Sequence, residues 1–166
     1  KIQNYRNILR RYIRDYGENE DINRAVQVLE RAKRDVLKAQ DKTELIGYEG
    51  MASNAYFEVL PILILNQKTD FPFHGRNRRP PKDAVNAMLS FAYTLIANDV
   101  AAALETVGLD PYVGFLHTLR PGRTSLALDM MEELRAYLGD RFILSLINKR
   151  QISVKDFLFQ GDNGVV

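Results

Sequence analysis

Residues 83–107 read DAVNAMLSFAYTLIANDVAAALETV, and this stretch decides the fold class. It is rich in alanine and is followed at once by Gly108. Its apolar residues run almost all the way round a helical wheel, which is typical of a buried helix. The stretch therefore predicts a long α-helix from about Asp83 to Val107 at the centre of the domain.

The residues before this helix also show helical periodicity. Apolar residues at spacings of three and four predict an antiparallel helix pair joined near residues 16–20, with Asp21 as the N-cap of the second helix. A third helix is expected to start near Thr43 and to carry Glu49 early, before Pro61 kinks or ends it. Between this helix and the central one, residues 66–82 hold three of the six prolines and form a basic surface loop.

After the central helix the sequence predicts only further helices. One begins near Ser125, and the last two cover about residues 140–149 and 153–158. No run of residues demands a β-strand before the end of the chain. We therefore expect an all-α, multi-helix domain.

Length and composition narrow the possible functions. The chain has 166 residues, a formal net charge of +2 and no cysteine, so disulfides, thiolate zinc sites and cysteine nucleophiles are excluded. The longest uninterrupted apolar run, residues 59–65, is far shorter than the ~20 residues that span a bilayer, and no signal-peptide pattern opens the chain. We expect a soluble, cytoplasmic protein without membrane contact. Because the sequence starts in a helical pattern without methionine, residues 1–166 are expected to be one domain of a longer chain.

Three acid and imidazole side chains are the candidate metal ligands. Glu49 follows Gly47-Tyr48, His117 follows Gly114-Phe115-Leu116, and Glu132 lies on the helix after Ser125. Charged groups rarely occupy such apolar surroundings unpaired, and a shared divalent cation would satisfy all three. Mixed carboxylate and imidazole ligands suit Mn²⁺ or Mg²⁺, and such an ion can activate a hydroxyl or polarise a phosphoryl oxygen.

Each candidate also has an ordinary structural interpretation. Asp129, Glu132 and Glu133 share one helix face, which is typical of a solvated acidic surface. His117 alone is more often a hydrogen-bonded structural histidine than a ligand, and Glu49 is an acid that a helix dipole would favour in a first turn.

Arginines are placed unevenly and suggest contact with phosphates. Arg76, Arg78 and Arg79 crowd the basic loop, and Arg120 and Arg123 follow His117 closely. Arginine binds phosphate oxygens bidentately and positions nucleic acid without reading its sequence. The alternative for these arginines is a merely solvated loop.

Four motifs in order carry a resemblance to a known family. They are Tyr48-Glu49-Gly50, Arg78-Arg79-Pro80-Pro81 followed by DAVNAMLSF at 83–91, Gly114-Phe115-Leu116-His117, and SLALDMMEELR at 125–135. Together they closely resemble the CRISPR-associated integrase family, Cas-one (Cas1). The match runs from about residue 47 to residue 164, whereas residues 1–40 match only loosely.

The resemblance implies a function in CRISPR adaptation. Members of the family have an N-terminal β domain, absent here, and a helical catalytic domain. They act as homodimers with a small partner protein, Cas-two (Cas2), and insert short double-stranded DNA fragments, the spacer precursors, at the CRISPR repeat. They also show metal-dependent nuclease activity. The family's metal ligands fall on Glu49, His117 and Glu132, with Asp129 beside the ion.

Two other functions are open at this point. The first is a helical DNA-binding module in which the carboxylates and the histidine form a structural network without chemistry. The second is a stand-alone hydrolytic nuclease, which cleaves DNA and joins no strands. The sequence does not choose between Mn²⁺ and Mg²⁺.

Overall fold

The structure, a computed structural model, describes residues 1–161 and 164–166 and is built from helices. In chain order these are α1 (Ile2–Tyr16), α2 (Glu20–Val36), α3 (Lys42–Leu63), α4 (Ala84–Thr106), α5 (Ser125–Leu134), a π-helical segment (Arg135–Asp140), α6 (Arg141–Asn148) and a 3₁₀ turn (Val154–Asp156). In the described part of the chain, β pairing is limited to an isolated bridge between Phe159 and Val165. The all-α prediction is confirmed.

The core forms where α1, α2 and α3 pack on one another and share one buried cluster with the first half of α4, the π-helical segment and α6. Tyr5 of α1 stacks on Tyr56 of α3 with ring centroids 3.9 Å apart, and neither ring is exposed to solvent. Leu9 and Leu29 bring α1 and α2 into the same core. Buried aromatic stacking of this kind adds to the free energy gained from apolar burial.

The α4 prediction is right in its bounds and partly wrong in its burial. Asp83 caps the helix, since its side chain accepts a hydrogen bond from the Asn86 amide, and Val85 and Leu89 lie in the core. Beyond Tyr93 the helix is largely solvent-exposed, with Leu95 48% exposed. In this half of the helix only Leu104 is buried, in a small second cluster with Leu126 and Ala127 of α5, whereas Leu95 packs into neither this cluster nor the main core.

By length and composition alone, α4 is the one helix among the described residues that could cross a membrane. The sequence expectation counted only uninterrupted apolar runs and therefore missed it. A core helix of a soluble protein passes the same test, so the finding is weak evidence for a membrane.

Two local predictions about helix ends are corrected. The N-cap of α2 is Asn19, whose side chain accepts a hydrogen bond from the Ile22 amide at 3.0 Å, and Asp21 lies in the first helical turn. Pro61 lies inside α3 near its end, and the helix continues to Leu63. A proline in the last turn removes only one hydrogen bond, which explains why the helix does not stop at that residue.

The predicted helix at 140–149 does not start a new element. The π-helical segment joins α5 to α6 without a break, so the chain from Ser125 to Asn148 is continuous. A π-turn inserts one extra residue, and the buried positions accordingly step by five from Met131 to Ala136 and then by four to Asp140. This shift leaves Leu138 exposed and turns Asp140 into the core.

Candidate metal and phosphate site

One cleft brings the candidate metal ligands together. Glu49 from α3, Glu132 from α5 and His117 from the segment 107–124 all line a cavity of about 630 Å³. Three parts of the chain that are distant in sequence therefore meet at one place. Asp129 and Glu133 of α5 line it as well.

Glu49 and Glu132 share one positive group, the side chain of Lys1. The Lys1 ammonium contacts Glu49 Oε1 and lies 2.6 Å from Glu132 Oε2, and the lysine side chain is only 12% exposed. Burial raises the pKa of Glu49, but the charge and hydrogen bond of Lys1, with a hydrogen bond from Ser53, outweigh it and lower that pKa below its ordinary value. The Lys1 ammonium thus holds both carboxylates together.

A second cation, Arg135, is fixed on the other side of Glu132. Its Nη1 lies 2.9 Å from Glu132 Oε1, and its guanidinium lies over the Tyr93 ring, 4.6 Å from the centroid. The Tyr93 hydroxyl in turn donates to Asp140, which is completely buried. The cation–π contact and the ion pair together restrict Arg135, and through it Glu132.

Asp129 holds the segment that carries His117. Its carboxylate accepts hydrogen bonds from the backbone amides of Phe115, Leu116 and His117 at 2.5, 2.8 and 3.0 Å. It also accepts from the His117 ring, whose Nδ1 lies 2.6 Å from Asp129 Oδ1. A ring that donates from Nδ1 keeps its Nε2 lone pair for a ligand, which is the common arrangement of a metal-binding histidine.

The pKa of Asp129 agrees with this role. Burial raises the pKa of Asp129. The hydrogen bonds from the Leu116 amide, its neighbouring amides and the His117 ring lower that pKa by more, so it lies below its ordinary value and the carboxyl stays ionised. Gly114 permits the close approach, because a Cβ there would lie 2.7 Å from the Ser125 carbonyl carbon and 2.8 Å from Asp129 Oδ2. The geometry makes Asp129 a residue that positions His117.

The ordinary interpretation as a solvated acidic face fits Glu133 alone, which is exposed. The Asp129 and Glu132 side chains are only 6% and 17% exposed. Glu49 lies in the second turn of α3, beyond the first turn where the helix dipole acts most strongly. His117 does make the hydrogen bond that its interpretation as a structural histidine requires, and it also lines the cleft.

The predicted arginines divide into two groups. Arg76 and Arg78 line the cleft, and Arg76 is anchored by hydrogen bonds to Asn86 Oδ1 at 2.7 Å and to Ser90 Oγ at 3.0 Å. Arg79, Arg120 and Arg123 lie outside the residues that line it. Of the predicted arginines that line the cleft, Arg78 is the exposed one.

The residues present fit a divalent cation by their chemistry. Within residues 1–161 and 164–166, no three carboxylate or imidazole side chains lie close enough to ligate one ion, and the Lys1 ammonium stands between two of them. Glu132 Oε2 is buried, and its partner is the Lys1 ammonium at 2.6 Å. Two carboxylates around one cation and a histidine whose Nδ1 faces Asp129 are side chains of the types that bind Mn²⁺ or Mg²⁺.

The sequence interpretation missed Lys1, Ser53 and Arg135. A signal for each was present, because Lys1 precedes core residue Tyr5 by four positions, Ser53 follows Glu49 by four, and Arg135 follows Glu132 by three. Residues at these spacings lie on the same helix face. Nothing local in the sequence indicates that Tyr93 and Asp140 meet beneath them.

The chain is similar to known proteins over its whole length. The family model for CRISPR associated protein Cas1 matches residues 1–166. A CRISPR-associated endonuclease Cas1 of Chlorobaculum tepidum is 51% identical over 160 residues, which is 95% of this chain and 47% of that protein. The chain therefore spans about half the length of this relative.

Solved structures show the same architecture. The chain in a partial Cas6-RT-Cas1–Cas2 complex superposes with a TM-score of 0.85 at 27% identity, covering 99% of this chain and 49% of that one. A casposase bound to integration product gives a TM-score of 0.78 at 26% identity, covering 99% and 47%.

Proposed function

Because the chain belongs to the Cas1 family, we propose that it is the helical catalytic domain of a metal-dependent DNA integrase and endonuclease of CRISPR adaptation. In this function, short DNA fragments are inserted into the CRISPR array. We further propose that residues 1–166 are one domain of a longer protein, since the chain covers about half of a relative that is 51% identical.

The observation that carries the proposal is the pair of carboxylates around one cation. Glu49 and Glu132 come from different helices and converge on a single positive group in the cleft that His117 also lines. A partly buried pair of acids is costly unless a cation compensates it, so this arrangement favours a cation site. Relatives named endonuclease and a neighbour bound to an integration product agree with phosphodiester chemistry.

The proposed reaction is a one-step phosphoryl transfer. A DNA 3′-hydroxyl oxygen attacks the phosphorus of a target phosphodiester, and the bond to the leaving 3′-oxygen breaks, so the number of phosphodiester bonds is conserved. Water in place of the hydroxyl gives cleavage. A bound Mn²⁺ or Mg²⁺ supplies Lewis-acid chemistry at the phosphate, and Glu49, His117 and Glu132 are the residues that would hold it.

The other residues of the cleft position groups for this transfer. Asp129 fixes the His117 ring, and Arg135 fixes Glu132 from the opposite side. Arg78 is available for a phosphate oxygen, with Arg76 anchored beside it, and we assign to them the contact that positions the DNA backbone. Arg79, Arg120 and Arg123 extend this proposed contact beyond the cleft.

The proposed partners are double-stranded DNA, a second copy of the chain and Cas2. The DNA comprises spacer precursors and the CRISPR repeat. A Cas1–Cas2 complex and a DNA-bound casposase among the solved neighbours support DNA and Cas2, and the homodimer follows from the family resemblance. We also propose that the reaction takes place in the cytoplasm.

The test is strand transfer and cleavage of labelled DNA by the full-length protein with Mn²⁺, Mg²⁺ or chelator. The variants are Glu49→Gln and His117→Ala, and the matched control is Glu58→Gln, an exposed acid on the same helix outside the cleft. We expect the wild-type protein to join DNA strands only in the presence of the metal. Both site variants should lower the joining rate by about 100-fold or more, and the control should keep the wild-type rate.

Each alternative function has its own outcome in this assay. Cleavage without joining would identify a stand-alone hydrolytic nuclease. DNA binding without either reaction, indifferent to metal and to Glu49→Gln, would contradict the proposal and identify a non-catalytic binding module.

A further inference from the structure

We propose that Lys1 is an internal counter-ion of the candidate metal site, which holds Glu49 and Glu132 together in the metal-free protein and is displaced to a DNA phosphate when a divalent cation binds. This inference rests on the proposed function, because it requires the cleft to bind a divalent cation. It assigns Lys1 two successive partners within one reaction cycle.

The position of Lys1 is the first argument. Its side chain is 12% exposed, and its ammonium contacts one oxygen of each carboxylate. That place between Glu49 and Glu132 is where a metal ion bound by both would have to lie. Lysine and metal are therefore competitors for the same pair of ligands.

The charges of the cleft are the second argument. Lys1 and Arg135 balance Glu49 and Glu132, so this group of four side chains is neutral without a metal. A divalent cation that joined them would face a nearby ammonium of the same sign, at a distance where the repulsion is large in a partly buried site. Displacement of Lys1 relieves that repulsion.

The difference between the two cations is the third argument. Arg135 is held by an ion pair with Glu132 Oε1 and by the ring of Tyr93, and neither contact involves the space between the carboxylates. Lys1 carries a compact charge on a flexible four-carbon stem and stands at the start of α1, where its carbonyl accepts the first helical hydrogen bonds. The stem can turn while the backbone stays in place.

The displaced ammonium is expected to bind a phosphate. The cleft that Lys1 lines is the one in which we place the DNA backbone, and its remaining exposed cation is Arg78. A free ammonium there adds charge-assisted contact to the phosphate oxygens near the reacting bond. Metal binding and phosphate binding are thereby coupled through one side chain.

The test compares Mn²⁺ binding by the full-length wild-type protein, Lys1→Met and Lys38→Met, measured by the loss of the free Mn²⁺ EPR signal. Lys38 is an exposed lysine just after α2, so it controls for the loss of one positive charge. We expect Lys1→Met to bind Mn²⁺ roughly tenfold more tightly than wild type, and Lys38→Met to stay within about twofold. Equal affinity of Lys1→Met and wild type would overturn the proposal.

Single-turnover DNA cleavage at saturating Mn²⁺ supplies the second readout. We expect Lys1→Met to cleave more slowly although it binds the metal more tightly, because it lacks the phosphate contact. A purely structural lysine would lose metal affinity and rate together, and that result would overturn the proposal. In chelator, Lys1→Met should have a lower melting temperature than wild type. Added Mn²⁺ should raise the melting temperature of Lys1→Met by more than it raises that of wild type.

A second variant covers the case in which Lys1→Met does not fold. Lys1→Arg keeps the charge but holds the carboxylates with a fork, so Mn²⁺ should bind it more weakly than wild type. Unchanged affinity of Lys1→Arg would overturn the proposal. The proposed function itself fails if the wild-type protein has no Mn²⁺ site that Glu49→Gln removes. If that site exists and neither Lys1 variant changes its Mn²⁺ affinity, only the role proposed for Lys1 fails.

Discussion

The two walls of the cleft are supported in different ways. On one side, which we call the core wall, Glu132 rests on Arg135, Tyr93 and the buried Asp140. On the other, the loop wall of residues 107–124, His117 is held by hydrogen bonds to Asp129. The core wall is therefore tied to global stability, whereas the loop wall can move without unfolding the protein. The predictions below test this difference.

The largest expected effect is a pH dependence of stability from Asp140 in the core wall. Burial raises the pKa of Asp140 from an ordinary 3.8 to about 6, against hydrogen bonding from Tyr93 and the charge of Arg135. The folded protein then binds a proton more tightly than the unfolded chain. This contribution to the free energy of unfolding is full below about pH 4 and is lost as the pH rises through about 6, a difference of about 3 kcal/mol.

Asp140→Asn should remove this dependence. The free energy of unfolding in urea should be measured for both proteins from pH 4 to pH 7, and the variant's value subtracted from that of wild type. The subtraction is needed because carboxyl groups with lowered pKa values change stability in the opposite direction, and they do so equally in both proteins. An unchanged slope in the variant would show that Asp140 is not the group that titrates.

The second effect is the loss of the loop wall in Asp129→Asn. An amide cannot accept three backbone hydrogen bonds and orient the imidazole as a carboxylate does, so the His117 segment loses its anchor. We expect DNA cleavage to fall about 10- to 100-fold while the unfolding transition shifts little. Asp99→Asn, an exposed acid on α4, is the control and should leave cleavage unchanged. A global loss of stability in Asp129→Asn would mean that the loop wall is part of the core.

A smaller effect is expected from crowding the same anchor in Gly114→Ala. The added methyl would meet the Ser125 backbone at 2.7 Å, so the loop must shift at a cost of about 1–2 kcal/mol. Gly47→Ala is the matched control, because a Cβ there meets nothing within 4 Å and a helical alanine is favoured over glycine. Thermal melts and cleavage rates should separate the two. A neutral Gly114→Ala would contradict the close packing of loop and α5.

These walls also show how far the sequence could be interpreted. Helix bounds were predictable because apolar periodicity and caps such as Asp83 are local signals. Glu49, His117 and Glu132 were chosen from local motifs, and the fold brings them to one cleft. The core wall was not predictable, because it depends on a π-turn that rotates Asp140 inward and on a contact between Tyr93 and Asp140 across 47 residues. The exposure of the second half of α4 was missed because periodicity does not report which neighbours are present.

The smallest expected effect is that of Phe115→Ala, and it separates backbone from side-chain support in the loop wall. Phe115 donates its amide to Asp129, but its ring is 77% exposed. Alanine keeps the amide and removes only the ring, so the free energy of unfolding should stay within about 0.5 kcal/mol of wild type. The measurement is urea unfolding beside Asp129→Asn. If Phe115→Ala instead lost more than about 1 kcal/mol, ring packing would hold the loop, and Asp129 would no longer account for the position of His117.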